Sequence, residues 1–201
     1  YLEWKEALYR EEKLKNETLK TKFESWRNQV NPHFLFNSLN VLSGLVYDDQ
    51  DKAVQFIRKM SDVYRYVLDK REQEVVSLED ELNFFMNYSF LQKIRFGDNL
   101  RVQVIGEAEG MVPPVALQLL LENAIKHNTV SEAKPLTVDV VINEHEIKVS
   151  NNIQEKLSKD STGIGLNNLR DRYAYLSDKS IAIKNDGQRF EVTIPLLKFD
   201  V

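Results

Sequence analysis

His33 is the residue best suited to group transfer, because a neutral imidazole is a nucleophile near neutral pH. It lies in "QVNPHFLFNSLN", where Gln29 comes one turn before it and Asn37 one turn after it, so three polar side chains share one face of a predicted helix. Pro32 directly precedes it, and a proline inside a helix kinks that helix. On this segment alone, a satisfied histidine at a helix interface is the better interpretation.

A second polar cluster lies in "PPVALQLLLENAIKHN". Asn123, Lys126 and His127 fall on adjacent turns of a predicted helix, beside Glu122. An amide oxygen can ligate Mg²⁺, which prefers oxygen ligands, and an ammonium group one turn further on can balance phosphate charge. Taken alone, the segment is better explained as the polar face of an amphipathic helix.

A glycine turn in "STGIGLNNLRDRY" is the third candidate. Gly163 and Gly165 allow close backbone approach just before a predicted helix, whose first N–H groups and dipole favour an anion. Polar and basic side chains follow the turn: Asn167, Asn168, Arg170 and Arg172. The turn alone is equally compatible with phosphate binding and with an ordinary helix start.

The first half of the chain is predicted to be helical. Residues 1–28 are rich in Lys and Glu and contain no Gly or Pro, which favours a long exposed helix. A heptad seam follows: Leu19, Phe23, Trp26, Val30, His33 and Asn37. A second helix is predicted over 51–70, after a short polar turn. The two form an αα-hairpin whose apolar faces require a partner hairpin, so we predict a dimeric four-helix bundle.

The second half is predicted to be an α+β domain. Ser77 begins a third helix that runs to about Phe96. After Gly97, strands such as "LRVQVIG", "LTVDVVI" and "EIKVSNN" are mixed with helices from about Pro114 to Asn128 and after Gly165. We therefore expect a sandwich with helices on one face of a sheet.

Composition excludes several functions. The 201 residues carry a net charge of −4, which argues against nucleic acid as a direct partner. The chain contains no cysteine, so disulfides, thiolate catalysis and cysteine-ligated zinc are excluded. No apolar run reaches the roughly 20 residues that span a bilayer. Because the chain begins at Tyr1, we expect it to be a soluble piece of a longer protein.

Together, the three segments resemble the LytS/YehU-type sensor histidine kinases, which carry a GHKL ATP-binding domain. The resemblance begins at about Trp26 and includes "NPHFLFNSLN", "YRYVL" and "VSLEDELNFFMNYSFLQKIRF". It continues through "VPPVALQLLLENAIKHN" and "GIGLNNLRDRY". Together with the charged helical pattern before it, the resemblance predicts a signalling coiled-coil helix over 1–28, a dimerisation and phosphotransfer hairpin over 19–72, and a GHKL domain over 77–201.

The resemblance also implies roles for individual residues. His33 would be the phosphoacceptor, and Asn37, one turn further on, could orient a water molecule for dephosphorylation of the partner. Asn123 would ligate Mg²⁺. The remaining nucleotide contacts would come from Glu122, Lys126, His127, Asn151, Gly163, Gly165 and Leu166.

Two departures from related kinases stand out. Most histidine kinases have an acidic residue after the phosphoacceptor, whereas Phe34 stands there in this chain, as the LytS/YehU motif dictates. GHKL domains usually carry a D-x-G-x-G box whose Asp binds the adenine amine. The aligned stretch is "VSNNIQEKLSKD", so Asn151 replaces that Asp and Ile153 replaces the first Gly. The charge-assisted part of the adenine contact would be lost, at a cost of about 1 kcal/mol.

The sequence therefore predicts an ATP- and Mg²⁺-dependent protein-histidine kinase. It would act as a homodimer and pass the phosphoryl group to a response regulator, in this family often one of the LytTR type. The full-length protein would be anchored in the inner membrane, with this part on the cytoplasmic side. Two alternatives remain: a pseudokinase scaffold that binds nucleotide poorly, favoured by Asn151, and a GHKL ATPase clamp, disfavoured by the phosphoacceptor box.

Overall fold

A computed structural model describes residues 32–70, 72–154 and 164–198. The predicted coiled-coil helix, the seam positions before His33 and the glycine at 163 lie outside the described residues, so those predictions stay open. The chain divides into two compact units, Tyr1–Gln50 and Asp51–Val201. In the described residues, no helix is long and apolar enough to cross a membrane.

The first unit contributes helix α1, Pro32–Asp48. Several of its apolar side chains are exposed: Phe36, Leu39, Val46 and Tyr47. The backbone N–H of Asp49 donates to the carbonyl of Leu45 at 2.8 Å, which continues the helical hydrogen-bond pattern to the last turn. The predicted short polar turn to the next helix is this one residue.

Helix α2, Gln50–Asp69, leads into the second unit and has two apolar faces. One face is buried and consists of Ala53, Phe56 and Val63. The other is about half exposed and includes Val54, Ile57 and Leu68. Periodicity in the sequence alone does not separate two such neighbouring faces of one helix.

Three further helices follow: α3, Leu78–Phe96; α4, Ala116–His127; and α5, Ile164–Leu176. Ser77 caps α3 as predicted, since its hydroxyl accepts from the backbone N–H of Asp80 at 3.1 Å. At the other end of α3, Gly97 adopts φ 59° and its N–H donates to Lys93. A 3₁₀ turn, Gly97–Asn99, then leads into the sheet.

The strands form two sheets. Strands β1 (Val76–Ser77) and β3 (Met111–Val112) form an antiparallel pair too short to be predicted. The other strands are β2 (Leu100–Ile105), β4 (Leu136–Ile142), β5 (Glu146–Asn152), β6 (Ala182–Asn185) and β7 (Arg189–Pro195). They lie in the order β2-β4-β5-β7-β6, with β2 parallel to β4 and the remaining pairs antiparallel.

One face of this sheet forms the core. Alternate residues of β4, from Leu136 to Ile142, are buried, as are Ile147 and Val149 of β5. Helix α3 contacts β2, and α4 contacts both β4 and β5. The predicted α+β architecture is confirmed: helices cover one face of a mixed sheet, and α4 lies against its centre.

Candidate functional site

His33 is exposed on the first turn of α1. The amide nitrogen of Asn37, one turn further on, lies 3.1 Å from Nδ1 and 3.2 Å from Nε2 of the ring. The Asn37 amide can therefore donate to whichever ring nitrogen of His33 lacks a proton. This hydrogen bond holds the imidazole ring against the surface of α1. The predicted pair of His33 and Asn37 is in direct contact.

The second predicted cluster lies on α4. Glu122 and Asn123 are half-buried, Lys126 is exposed and His127 is half-buried. Among the residues the structure describes, none forms a hydrogen bond with the side chain of Asn123. Its amide oxygen can therefore ligate a hard cation such as Mg²⁺ without losing a partner in the fold.

Glu122 is held in place by neighbouring helices. Its Oε1 accepts from the hydroxyl of Tyr88 at 2.8 Å and from the amide of Gln118 at 3.0 Å. The Tyr88 oxygen accepts in turn from Gln92 at 2.7 Å. Burial, and then the charge of Glu122, raise the pKa of Tyr88, so its hydroxyl stays protonated and donates. Glu122 is therefore positioned by Tyr88 of α3 and by Gln118 of its own helix.

The end of α4 is joined to the end of β5. Asn128 is buried; its amide donates to the carbonyl of Ala124 at 2.8 Å, and its oxygen accepts from the backbone N–H of Gln154 at 2.6 Å. The backbone N–H of Thr129 donates to the carbonyl of Gln154 at 2.8 Å. These bonds bring Asn151, on β5, into the same region as the predicted α4 cluster.

Asn151 is almost fully buried in the sheet, opposite Val138 on β4 and Phe190 on β7. Its amide donates to the carbonyl of Asn152 at 2.7 Å. No described residue donates a hydrogen bond to its side-chain oxygen. That oxygen is therefore the atom available to accept from an adenine amine.

The start of α5 lies beside α4. A side chain at Gly165 would come within 3.6 Å of Leu119, so this glycine faces α4 at ordinary contact distance. Leu166 is half-buried beside it. On the next turns of α5, the guanidinium of Arg172 donates to the carbonyl of Pro114 at 3.0 Å. The described part of the glycine segment thus adjoins α4.

A buried acid that was not predicted from the sequence lies at the start of α4. Glu81 is fully buried, and its carboxylate accepts from the backbone N–H groups of Val115 and Leu117 and from the hydroxyl of Tyr66. Desolvation by burial raises the pKa of Glu81 to about 7, although these three donors act in the opposite direction. Glu81 lies one turn after buried Leu78, but this spacing alone does not separate a buried acid from an exposed one in the first turn of α3.

Metal ligands of the carboxylate or histidine type are not clustered in the described residues. A divalent cation at this site would depend on the amide of Asn123 together with oxygens of the nucleotide itself. This arrangement is usual for Mg²⁺, which keeps most of its ligands as water and phosphate. The residues present therefore fit a nucleotide-bound Mg²⁺ better than a site formed by protein ligands alone.

Comparison with known proteins gives consistent matches. Residues 21–100 match the histidine kinase family. The chain is 33% identical over 192 residues to the sensor protein LytS of Bacillus cereus, covering 83% of this chain and 33% of that protein. It is 30% identical over 197 residues to the sensor histidine kinase/phosphatase LytS of Staphylococcus aureus, covering 86% of this chain and 34% of that protein. The cytoplasmic segment of histidine kinase QseC superposes with a TM-score of 0.46 at 20% identity, covering 74% of this chain and 95% of that one.

The family model and the two curated relatives identify the class of the protein as a histidine kinase. Within that class the chain belongs to the LytS-type sensor histidine kinases, which confirms the resemblance found in its sequence. The chain spans about a third of the length of the curated relatives it matches.

Proposed function

We propose that this chain transfers the γ-phosphoryl group of ATP to His33 and then to an aspartate of a response regulator. The observation that carries the proposal is the exposed His33 imidazole, with the Asn37 amide against it, inside the segment that matches the histidine kinase family. In the transfer, a ring nitrogen bonds to the γ-phosphorus, the bond to the β-phosphate oxygen breaks, ADP leaves and the ring proton passes to water.

The nucleotide would bind against α4. Asn123 would hold Mg²⁺, and Lys126, His127 and the glycine turn with Gly165 and Leu166 would lie near the phosphates. Bound Mg²⁺ would neutralise charge on the phosphate oxygens. Glu122 is held by Tyr88, and this fixed geometry suits a reaction that depends on positioning more than on acid–base chemistry.

Asn37 has a second proposed role. An amide one turn from a phosphorylated histidine can hold a water molecule for attack on a phosphoryl group. The Staphylococcus aureus relative is named a histidine kinase/phosphatase, which supports testing this role. The regulator is proposed to be of the LytTR type, on the resemblance alone.

The active form is proposed to be a homodimer. Apolar side chains are exposed on α1 at Phe36 and Leu39 and on α2 at Val54, Ile57 and Leu68. Helices with such faces are usually covered by other helices in a bundle. Sedimentation at micromolar concentration should show a dimer. A monomer with unchanged helicity would contradict this assembly.

Incubation with γ-labelled ATP and Mg²⁺ separates the candidate functions. A kinase gives label on the protein, and chelation of Mg²⁺ with EDTA abolishes it. Release of free phosphate without labelled protein would instead identify an ATPase. A signalling scaffold that binds nucleotide poorly, which the uncharged Asn151 favours, would show neither label nor turnover. Either of the last two outcomes would overturn the proposal.

A further inference from the structure

The start of α4 lacks a cap of its own. Val115, the residue before its first turn, adopts the left-handed conformation with φ 61° and ψ 17° and makes no side-chain capping bond. The first N–H groups of a helix have no partner inside that helix. Here Glu81 of α3 supplies one, accepting from Val115 N–H at 3.0 Å and from Leu117 N–H at 2.9 Å. Its carboxylate caps α4 from outside.

The same carboxylate is bound from α2. The hydroxyl of Tyr66 donates to Glu81 Oε2 at 2.6 Å. Burial, and then the charge of Glu81, raise the pKa of Tyr66 far above its usual value, so this hydroxyl remains a donor. Glu81 therefore joins α2 to α4 through two short hydrogen-bonding steps.

Helix α2 is held on α3 around this link. The ring of Tyr66 stacks on Phe84 with centroids 4.2 Å apart and planes inclined by 12°. Directly after the end of α2, Lys70 pairs with Asp80 at 2.9 Å. The stacked rings would therefore hold α2 on α3 even if Tyr66 had no hydroxyl.

Helix α5 also meets the start of α4. Arg172 donates to the carbonyl of Pro114, directly before Val115. Tyr173 is fully buried, and its pKa is raised by burial and then by the charge of Glu81. The groups that face Glu81 therefore come from α2, α4 and α5, the last of which begins at the glycine turn.

We propose that Tyr66 is a positioning residue that acts through Glu81 on the first turn of α4. Helix α2 directly follows the helix that carries His33, and α4 carries the candidate nucleotide residues. The link through Tyr66 and Glu81 therefore couples α2, next to the helix of the proposed acceptor, to α4, the helix of the proposed nucleotide site. This inference rests on the proposed kinase function and adds residues that do not touch substrate.

The Glu81 carboxylate serves to align the start of α4 rather than to stabilise the fold. A buried carboxylate that needs three donors contributes less stability than apolar residues of similar volume would. Burial of Glu81, which raises its pKa to about 7, is in line with such a cost. A carboxylate kept for coupling should influence the rate of transfer more than the affinity for nucleotide.

The first experiment uses Tyr66→Phe, which keeps the ring on Phe84 and removes only the hydroxyl. The kcat for phosphorylation of His33 should fall about tenfold, as expected for loss of one charge-assisted hydrogen bond, while KM for ATP changes less than about twofold. Tyr175→Phe removes an exposed hydroxyl from α5 and is the matched control, with no change expected. An unchanged kcat in Tyr66→Phe, or an equal loss of ATP affinity, would overturn the inference.

A double-mutant cycle tests whether Tyr66 acts through Glu81. In the Glu81→Gln background, Tyr66→Phe should lower kcat by less than about twofold, because the partner of the hydroxyl has already changed. Full additivity of the two effects would show that Tyr66 acts by another route and would overturn the inference.

Hydrogen exchange separates this inference from the proposed function. If wild-type protein transfers no phosphate to His33, the kinase proposal fails, and exchange at the Leu117 amide still decides whether the link exists. Tyr66→Phe should speed that exchange several-fold relative to wild type and to Tyr175→Phe. Unchanged exchange would overturn the link whatever the kinase assay shows.

Discussion

The proposed acceptor region around His33 and the proposed nucleotide region at α4 are held in opposite ways. His33 is exposed on α1 and contacts one amide, that of Asn37. The start of α4 is fixed by the buried carboxylate of Glu81. That carboxylate accepts hydrogen bonds from the hydroxyl of Tyr66 on α2 and from the backbone N–H groups of Val115 and Leu117. An acceptor that must meet both a nucleotide and a second protein needs access. A nucleotide site depends instead on fixed positions.

The contrast predicts different costs for substitutions in the two regions. Changes around His33 should alter chemistry and leave stability unaffected, because exposed side chains contribute little to folding. Changes around Glu81 should alter stability as well, because they leave buried donors without a partner.

The largest effect is expected for Glu81→Ala. It leaves the Tyr66 hydroxyl and the N–H groups of Val115 and Leu117 unsatisfied, so the free energy of unfolding should fall by about 3 kcal/mol or more. Urea denaturation measures it. Glu79→Ala, an exposed acid in the same turn, and His33→Gln should each change it by less than about 0.5 kcal/mol. Equal effects in all three variants would remove the contrast between the two regions.

The pH dependence of stability provides a second test. Burial raises the pKa of Glu81 in the folded state to about 7, above its usual value of 4.5. Between these values the folded protein binds a proton that the unfolded chain has lost, so stability falls as pH rises, by about 1.4 kcal/mol per pH unit. Stability relative to Glu81→Gln should therefore decline from pH 4.5 to 7. A rise over that range would mean that the hydrogen bonds outweigh burial.

A smaller effect is expected for Asn123→Ala. Loss of the amide ligand should weaken Mg²⁺-dependent ATP binding roughly tenfold in calorimetry, while stability remains within about 0.5 kcal/mol of wild type. Asn40→Ala makes the same change at an exposed position of α1 and should have no effect. If wild type and Asn123→Ala both bind ATP equally well in Mg²⁺ and in EDTA, Asn123 is not a metal ligand.

The smallest effect is expected at Asn151. Its side-chain oxygen can accept from adenine, so Asn151→Ala should weaken ATP binding by about 1 kcal/mol, and Asn151→Asp should retain or improve it. Calorimetry on wild type and both variants measures the difference. Absence of ATP binding in all three at millimolar concentration would indicate a decayed adenine site and favour the scaffold function.

Much of the fold could be predicted from the sequence. The strands "LTVDVVI" and "EIKVSNN" alternate with period two, and Leu136–Ile142 and Glu146–Asn152 are observed as strands. Helix α3 begins and ends at the predicted residues because Ser77 and Gly97 carry clear capping signals. The parallel pairing of β2 with β4 has no local signal, since partners such as Leu100 and Leu136 are far apart in the sequence.

The candidate site was predicted only in part. Motif spacing places Asn123 and Lys126 on one helix, and His33 beside Asn37. It does not indicate that Glu81, among three acids in the first turn of α3, is the buried one. That depends on the left-handed Val115 and the uncapped start of α4, which are tertiary features. The buried acid is therefore visible only once α2, α3 and α4 are packed.

The most direct test is to locate the phosphate. The chain has three histidines, His33, His127 and His145, and incubation with Mg²⁺ and ATP should put an acid-labile, alkali-stable phosphate on the first. His33→Gln should abolish it. His145→Gln makes the same change at an exposed turn residue and should retain it fully. Phosphate that persists in His33→Gln, or that maps to His127 or His145 by mass spectrometry at alkaline pH, would contradict the assignment of His33 as the phosphoacceptor.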